Sequence, residues 1–241
     1  MYNSLFCRVY NEFGWNEYPR VFGEMLLEWL RRRGIAVHTA LDLGCGTGVL
    51  CEALHEEGIE TLGIDLSEDM IAIAQSRSPG LAYRVGDMTA FETDRKFDLV
   101  TCTGDALNHV TRQSDVRRVF ANVRETLHPE GLFVFDLLKD DEVPRSEPFE
   151  ADFTDHLRVR FTVRRSGDGM TELQIEGFDG DVLQFSETIR EKIYDISVIL
   201  EMLRGAGFEI LQCADHLMID QDAHGTTWFV VAKKLPTGGK I

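Results

Sequence analysis

The stretch Leu41-Asp42-Leu43-Gly44-Cys45-Gly46-Thr47-Gly48 decides how this chain is read. A short apolar run from Thr39 ends in three alternate glycines, and Val49, Leu50, Ala53 and Leu54 follow at helical spacing. The pattern is a strand that turns sharply into a helix. Gly44 and Gly46 let the backbone approach a ligand with no Cβ in the way. Asp42 stands at the C-terminal end of the strand, where open α/β sheets bind their ligands. In a dinucleotide fingerprint a third small residue would follow three places after the second glycine, but that position is Val49.

Outward from the loop, strands and helices alternate. Glu60–Asp65 reads as a strand, Met70–Arg77 as a helix, Leu81–Val85 and Phe97–Thr103 as strands, and Asp115–Leu127 as a helix. Pro129-Glu130-Gly131 turns the chain into a further strand, Leu132–Leu138. That rhythm implies parallel βαβ units and an α/β fold. Before the loop, residues 1–34 read as helical: Val21, Phe22, Met25, Leu26, Trp29 and Leu30 share a face, Pro19 suits a first turn, and Gly34 is a stop. The Arg31-Arg32-Arg33 run falls in the last turn, where cations complement the helix dipole.

The rhythm breaks after Leu138. A charged loop, Lys139–Pro148, leads into strict alternation: Leu157, Val159, Phe161 and Val163 interleave with Arg158, Arg160 and Arg164. Turn signals at Gly167-Asp168-Gly169 and Asp179-Gly180-Asp181 divide this region into three expected antiparallel strands with one wet face. A helix, Ile196–Leu203, and two closing strands, Phe208–Cys213 and Trp228–Ala232, restore the α/β character before a frayed tail, Pro236–Ile241. The expected organisation is a helical segment at 1–34, an α/β domain at 35–148 and 193–241, and an antiparallel insertion at 149–192.

Three further segments stand in order after predicted strands: Gly63-Ile64-Asp65-Leu66-Ser67, Gly86-Asp87-Met88, and Phe97-Asp98-Leu99-Val100-Thr101-Cys102-Thr103. Each has a plain structural reading, since Asp65 could cap the next helix, Asp87 could sit in any loop and Asp98 only precedes its strand. Together with the DxGxGxG loop, the four segments resemble class I S-adenosylmethionine-dependent methyltransferases. The resemblance implies a Rossmann-like, mostly parallel seven-stranded sheet flanked by helices. It also implies that S-adenosylmethionine is held by Asp42, Gly44, Cys45, Gly46 and Gly48, by Asp65 and Leu66 at the ribose, by Asp87 and Met88 at the adenine, and by Thr103 near the methyl group. An acid beside the loop suits this ligand, which carries an ammonium and a sulfonium, whereas a pyrophosphate is repelled by one. The layout of the N-terminal helix and the insertion resembles small-molecule enzymes of the glycine and amino-sugar N-methyltransferase type, which implies that 1–34 forms a helical lid and 149–192 a substrate lid over a cofactor-binding domain at 35–148 and 193–241. There, Tyr10 and Tyr18 would offer aromatic faces to a sulfonium and Arg20 a partner to a carboxylate.

The chemistry expected is transfer of a methyl group to an N or O atom of a small molecule. Alignment of the nucleophile matters most, and a hydroxyl acceptor needs a base where a neutral amine does not. Thr103-Gly104-Asp105-Ala106-Leu107-Asn108-His109 should face the methyl group, with Asp105 orienting an amine, Asn108 holding a polar acceptor and His109 taking a proton. Asp136, inside the fifth strand, has no role assigned. His216, Asp220, Asp222 and His224 read as a solvated turn, and no metal is expected.

Composition limits the partners. The 241 residues carry 25 Lys and Arg against 41 Asp and Glu, a formal charge of −16. Such a chain is repelled by phosphate backbones and anionic membranes, which disfavours nucleic acid. The five cysteines form no CxxC pair and fit a reducing cytoplasm. No signal peptide and no spanning run is expected, and the chain should act as a monomer or homodimer. The rival readings are a tRNA or protein methyltransferase, a non-catalytic protein that binds the same cofactor, and an NAD-dependent dehydrogenase.

Overall fold

Strand β1 (Thr39–Leu43) lies within a seven-stranded sheet, paired in parallel with β2 (Glu60–Asp65) on one side and β4 (Phe97–Cys102) on the other. The computed structural model describes residues 4–139, 148–154, 156–215 and 227–236. Beyond β2 comes β3 (Ala82–Val85), and beyond β4 comes β5 (Leu127–Leu138), both parallel to their neighbours. β11 (Thr227–Lys234) runs antiparallel to β5, and β10 (Phe208–Ala214) antiparallel to β11, giving the order β10-β11-β5-β4-β1-β2-β3. The fold is therefore α/β with a mostly parallel sheet, as the alternation implies. The chain leaves β1 toward one edge and returns at β4 toward the other, so the loops after β1 and β4 diverge and leave a crevice between them.

Helices cover both faces. α2 (Glu17–Arg32) and α3 (Val49–Glu56) pack with Ala40, Leu99, Val134 and Val231 on one side. α5 (Gln113–Thr126) and α6 (Ile196–Gly205) pack with Leu41, Val100, Phe133 and Phe135 on the other. α4 (Glu68–Arg77) begins at Ser67, whose hydroxyl accepts from the Met70 N–H. Each large side chain fully buried here contributes about 1.5–3 kcal/mol. Burial on both faces makes β1, β4 and β5 nearly continuous apolar runs. Asp42, Thr101 and Asp136 are the buried polar residues of these three strands. The arginines ending α2 engage Glu28 and Glu57 at the surface, contacts worth at most about 1 kcal/mol each.

Three local expectations change. The region 149–192 forms four antiparallel strands rather than three: β6 (Phe149–Thr154), β7 (Leu157–Arg165), β8 (Met170–Asp179) and β9 (Val182–Lys192). β6 is a short edge strand, and only its pairing reveals it, with Phe149 opposite Phe161 and the two rings stacked at 4.8 Å. Pro129-Glu130-Gly131 lies within β5 as a bulge, because pairing starts at Leu127 opposite Phe97 and resumes at Leu132 opposite Leu99. Glu130 takes up the kink at φ +64°.

The N-terminal region is not one helix. α1 (Ser4–Val9) runs into a single 3-10 turn, Tyr10–Phe13, and Gly14 at φ +74° breaks the path before α2. That break lets Phe6, Tyr10, Phe13 and Trp15 pack against Val159, Phe161, Ile175, Phe185 and Ile189 of the second sheet. The two parts that lie over the crevice thus share one apolar cluster.

Candidate active site

The loop after β1 needs its glycines for conformation. Gly44, Gly46 and Gly48 have φ of +71°, +52° and +82°, a region L side chains rarely adopt. The Gly44 and Cys45 N–H groups donate to the Ile64 carbonyl at 2.7 and 3.1 Å, which locks the loop to the end of β2. A Cβ on Gly44 would sit 2.7 Å from Cβ of Ala106, and one on Gly48 would sit 2.5 Å from the Tyr83 hydroxyl oxygen. On Gly46 it would meet no protein atom within 4 Å, since that face opens onto the cavity. Thr47 closes the loop from outside, its hydroxyl 3.0 Å from Oδ1 of Asn11.

Asp65 lies directly under this loop. Its Oδ2 accepts the Gly46 N–H at 2.9 Å and its Oδ1 the Ser67 N–H at 2.8 Å. An ionised carboxylate has about four acceptor positions, so roughly two remain for a vicinal pair of hydroxyls. Burial pushes its pKa up, and the two backbone bonds pull it back. Asp42 is 3% exposed and accepts the Thr101 hydroxyl at 2.7 Å on Oδ1, with Cys51 Sγ 3.7 Å from Oδ2. Its pKa rises to about 7, chiefly through burial, with Asp65 and Asp136 adding to the rise. A cation beside it would restore the ionised form.

The loop after β4 is held by a residue the sequence reading left unassigned. Asp136, fully buried in β5, accepts the Gly104 N–H at 3.0 Å, the Asp105 N–H at 2.8 Å and the Tyr18 hydroxyl at 2.6 Å. These bonds hold Asp105 at φ +54°, a left-handed conformation unusual outside glycine. A buried acid in a central strand was the available signal.

These elements surround a cavity of about 840 Å³, at the upper end of the range for small-molecule sites. Asp42, Gly44, Cys45, Gly46, Asp65, Leu66, Asp87, Met88 and Thr103 all line it, as do Tyr10, Tyr18, Asp105 and His109. Asp87 is exposed and caps the Thr89 N–H at 2.7 Å. Gly48, expected beside them, does not line the cavity and faces Tyr83 and Ala74 instead.

Two expected contacts fall elsewhere. Arg20 is exposed at the surface of α2, outside the cavity. Asn108 is buried behind the cavity wall: its Nδ2 donates to the Lys192 carbonyl at 2.8 Å and its Oδ1 accepts the Leu138 N–H at 3.1 Å. Its amide is used on backbone, tying β9 to the end of β5, so it acts as a positioning residue.

That tie brings in Glu191, which sequence reasoning missed. Phe185, Glu187, Ile189 and Glu191 share the inward register of β9, and an acid on that face was the readable sign. Asp105, His109 and Glu191 place one ligand atom each within 4.8 Å of one another. Burial pushes both carboxylates above their ordinary range, and at Asp105 the charges of Glu191 and Asp136 add to the rise. Burial lowers the pKa of His109, although a hydrogen bond to the Arg190 backbone opposes this. The segment with His216, Asp220, Asp222 and His224 lies outside the described residues.

A glycine loop at the switch point of a parallel sheet, with acids at the ends of β1, β2 and β3, defines a class I methyltransferase. The chain belongs to the methyltransferase family and is an S-adenosylmethionine-dependent enzyme: residues 40–131 match the methyltransferase domain. The methyltransferase-family protein YqeM of Bacillus subtilis (strain 168) is 31% identical over 215 residues, covering 82% of this chain and 84% of that protein. An S-adenosylmethionine-dependent methyltransferase from Clostridium acetobutylicum ATCC 824 superimposes with a TM-score of 0.79 at 25% identity, covering 89% of this chain and 91% of that one. The dTDP-3-amino-3,6-dideoxy-alpha-D-glucopyranose N,N-dimethyltransferase of Streptomyces fradiae is 28% identical over 154 residues, 63% of this chain and 56% of that protein. Among the described residues no helix is long and apolar enough to cross a membrane, and all five cysteines are free thiols.

The donor set fits the cofactor. Asp65 keeps acceptor positions for ribose hydroxyls, Gly46 leaves its face open, and Asp42 is a buried carboxylate that gains from a neighbouring cation.

Proposed function

We propose that this enzyme methylates the nitrogen of a small-molecule amine. The observation that carries the reading is the acidic wall of the cavity. Asp105 and Glu191 converge from two different elements at the side lined by Thr103 and His109, with Glu187 on the same strand face. Such a wall attracts a cationic group of the acceptor that is placed against it. The name of the Streptomyces fradiae relative, an amino-sugar N,N-dimethyltransferase, supports the same class of acceptor.

Bound S-adenosylmethionine supplies an electrophilic methyl group on a sulfonium. Asp65 would accept the ribose hydroxyls, Asp87 and the Met88 backbone would serve the adenine, and Asp42 would lie on the cationic side of the ligand. Tyr10 and Tyr18 would present aromatic faces to it, a contribution of about 0.5–2 kcal/mol. The N-terminal segment and the β6–β9 sheet, joined through Phe6, would exclude water as a lid over the 35–148 and 193–241 domain. We place the enzyme in the cytoplasm, a reading supported by its free thiols, as a monomer or homodimer acting on a small molecule and not on nucleic acid.

The test is a screen of amines, including nucleotide-linked amino sugars, against hydroxyl analogues of the same shape. Formation of S-adenosylhomocysteine with a one-methyl mass gain on an amine is expected. Transfer to hydroxyls alone, or to tRNA, overturns the reading.

A further inference from the structure

Asp105 and Glu191 come from distant parts of the chain, and their meeting is built. Asp136 fixes the backbone of Asp105 in a left-handed conformation. Asn108, three residues on, grips the carbonyl of Lys192, the neighbour of Glu191. The result places two carboxylates on the cavity wall, the Glu191 side chain only 12% exposed. Neither carboxylate accepts a hydrogen bond from the described residues, although the His109 Nε2 lies 3.9 Å from Glu191 Oε1. Two like charges this close in a confined space favour a shared proton over full ionisation. The groups facing the pair are Asp136 from β5, Tyr10 from the 3-10 turn, Tyr18 from α2, His109 from the same loop, and Glu187 and Arg190 from β9. Arg190 turns to Glu172 at 2.7 Å, so no lysine or arginine neutralises the pair among the described residues.

We propose that Asp105 and Glu191 form a proton-accepting carboxylate pair that binds the acceptor as its ammonium ion and takes one proton from it before methyl transfer. This rests on the amine reading above. In the step, the pair holds the ammonium with both carboxylates ionised, an N–H bond of the ammonium breaks, and an O–H bond forms on one carboxylate, so that the pair then shares that one proton. The electron pair stays on nitrogen, which becomes the nucleophile, and the proton leaves to water when the product departs. A protonated amine has no lone pair, so a binding site that attracts the cation must also discharge it. A single fully ionised carboxylate would hold the ammonium without accepting its proton. In a close pair the first proton relieves the repulsion between the two charges, so the fully ionised pair that the ammonium holds has the raised basicity the task needs.

The pair can be tested without knowing the acceptor. Sinefungin carries an amine where the cofactor carries its methyl sulfonium, whereas S-adenosylhomocysteine has an uncharged thioether there. Both are titrated calorimetrically into the wild type, Glu191→Gln and Asp105→Asn between pH 6 and 9. The wild type should prefer sinefungin by tenfold or more, and each variant should lose at least fivefold of that ratio. Taking the ratio cancels any general loosening of the cofactor site. In the amine assay the acid limb of the kcat/KM profile should move in Glu191→Gln. An unchanged ratio in both variants, with amine methylation intact, removes the pair and leaves the amine reading standing. A ratio that falls as expected, with no amine methylated, removes the amine reading and the proton transfer with it.

Discussion

The Tyr18 hydroxyl in α2 donates a 2.6 Å hydrogen bond to Oδ2 of Asp136 in β5, 118 residues further along the chain. The same carboxylate accepts the Gly104 and Asp105 N–H groups. One buried side chain therefore joins the N-terminal helix, a strand of the main sheet and the loop after β4 that lines the cavity.

Tyr18→Phe removes one of the three donors while leaving the ring in place. A hydrogen bond to a charged group contributes about 1.5–3 kcal/mol, so urea unfolding at pH 7.5 should show a loss of that order. The cofactor should bind more weakly as well, because Tyr18 lines the cavity. Stability equal to that of the wild type would show that water replaces the hydroxyl at Asp136.

Asp65→Ala acts on the cofactor side. It removes the acceptor for the Gly46 and Ser67 N–H groups and for the proposed ribose hydroxyls. Loss of charged hydrogen bonds worth about 1.5–3 kcal/mol corresponds to a tenfold to hundredfold weaker affinity for S-adenosylhomocysteine by calorimetry. Unchanged affinity would show that Asp65 does not hold the ribose. Tight binding of NADH in the same titration would point to the dinucleotide loop that Val49 argues against.

The parts of this site that were legible in sequence are those set by local backbone needs. Gly44, Gly46 and Gly48 advertise a left-handed loop, and Asp42, Asp65 and Asp87 each follow an apolar run. The strand rhythm announced the sheet because parallel strands buried on both faces read as uninterrupted apolar runs. What stayed hidden depends on contacts between distant elements. Asn108 looks like a substrate residue until Lys192 and Leu138 are seen to occupy its amide. β6 has little pattern of its own and exists through its pairing with β7. Asp136 and Glu191 could have been flagged as acids in apolar registers, but only the fold says what they face.

Phe6→Ala tests whether the N-terminal segment and the β6–β9 sheet act as one cover. Phe6 is fully buried, with its ring 5.7 Å from Trp15 and 6.2 Å from Phe185. Truncating a core phenylalanine costs about 3–5 kcal/mol. Here that loss should fall on the cover rather than the seven-stranded sheet, since the cluster is separate from those that flank the sheet. Limited proteolysis should cut faster around residues 4–16 while the main unfolding transition moves little. A matching fall in global stability would show that the cover and the sheet unfold together.

The pH dependence of stability turns on Asp42. Its pKa in the folded protein is about 7 against an ordinary 3.8, so the fold favours the protonated form. The stability from this group is complete below about pH 4 and is lost as pH rises through about 7. Asp65, Asp105, Asp136 and Glu191 are shifted the same way. His109, lowered by burial, opposes them in acid. The ligand-free protein should therefore melt at a lower temperature at pH 8 than at pH 5.5. Asp42→Asn keeps an oxygen for the Thr101 hydroxyl and removes the buried charge. A shift of about three pKa units corresponds to roughly 4 kcal/mol, and about half of that should return as a higher melting temperature at pH 8. The same variant should lose tenfold or more in affinity for S-adenosylmethionine, whose cation gives the wild-type carboxylate its reason to be charged. For the wild type, stabilisation by the cofactor should then be larger at pH 8 than at pH 5.5. A variant that melts below the wild type at pH 8 would show that the Asp42 charge is already compensated within the fold.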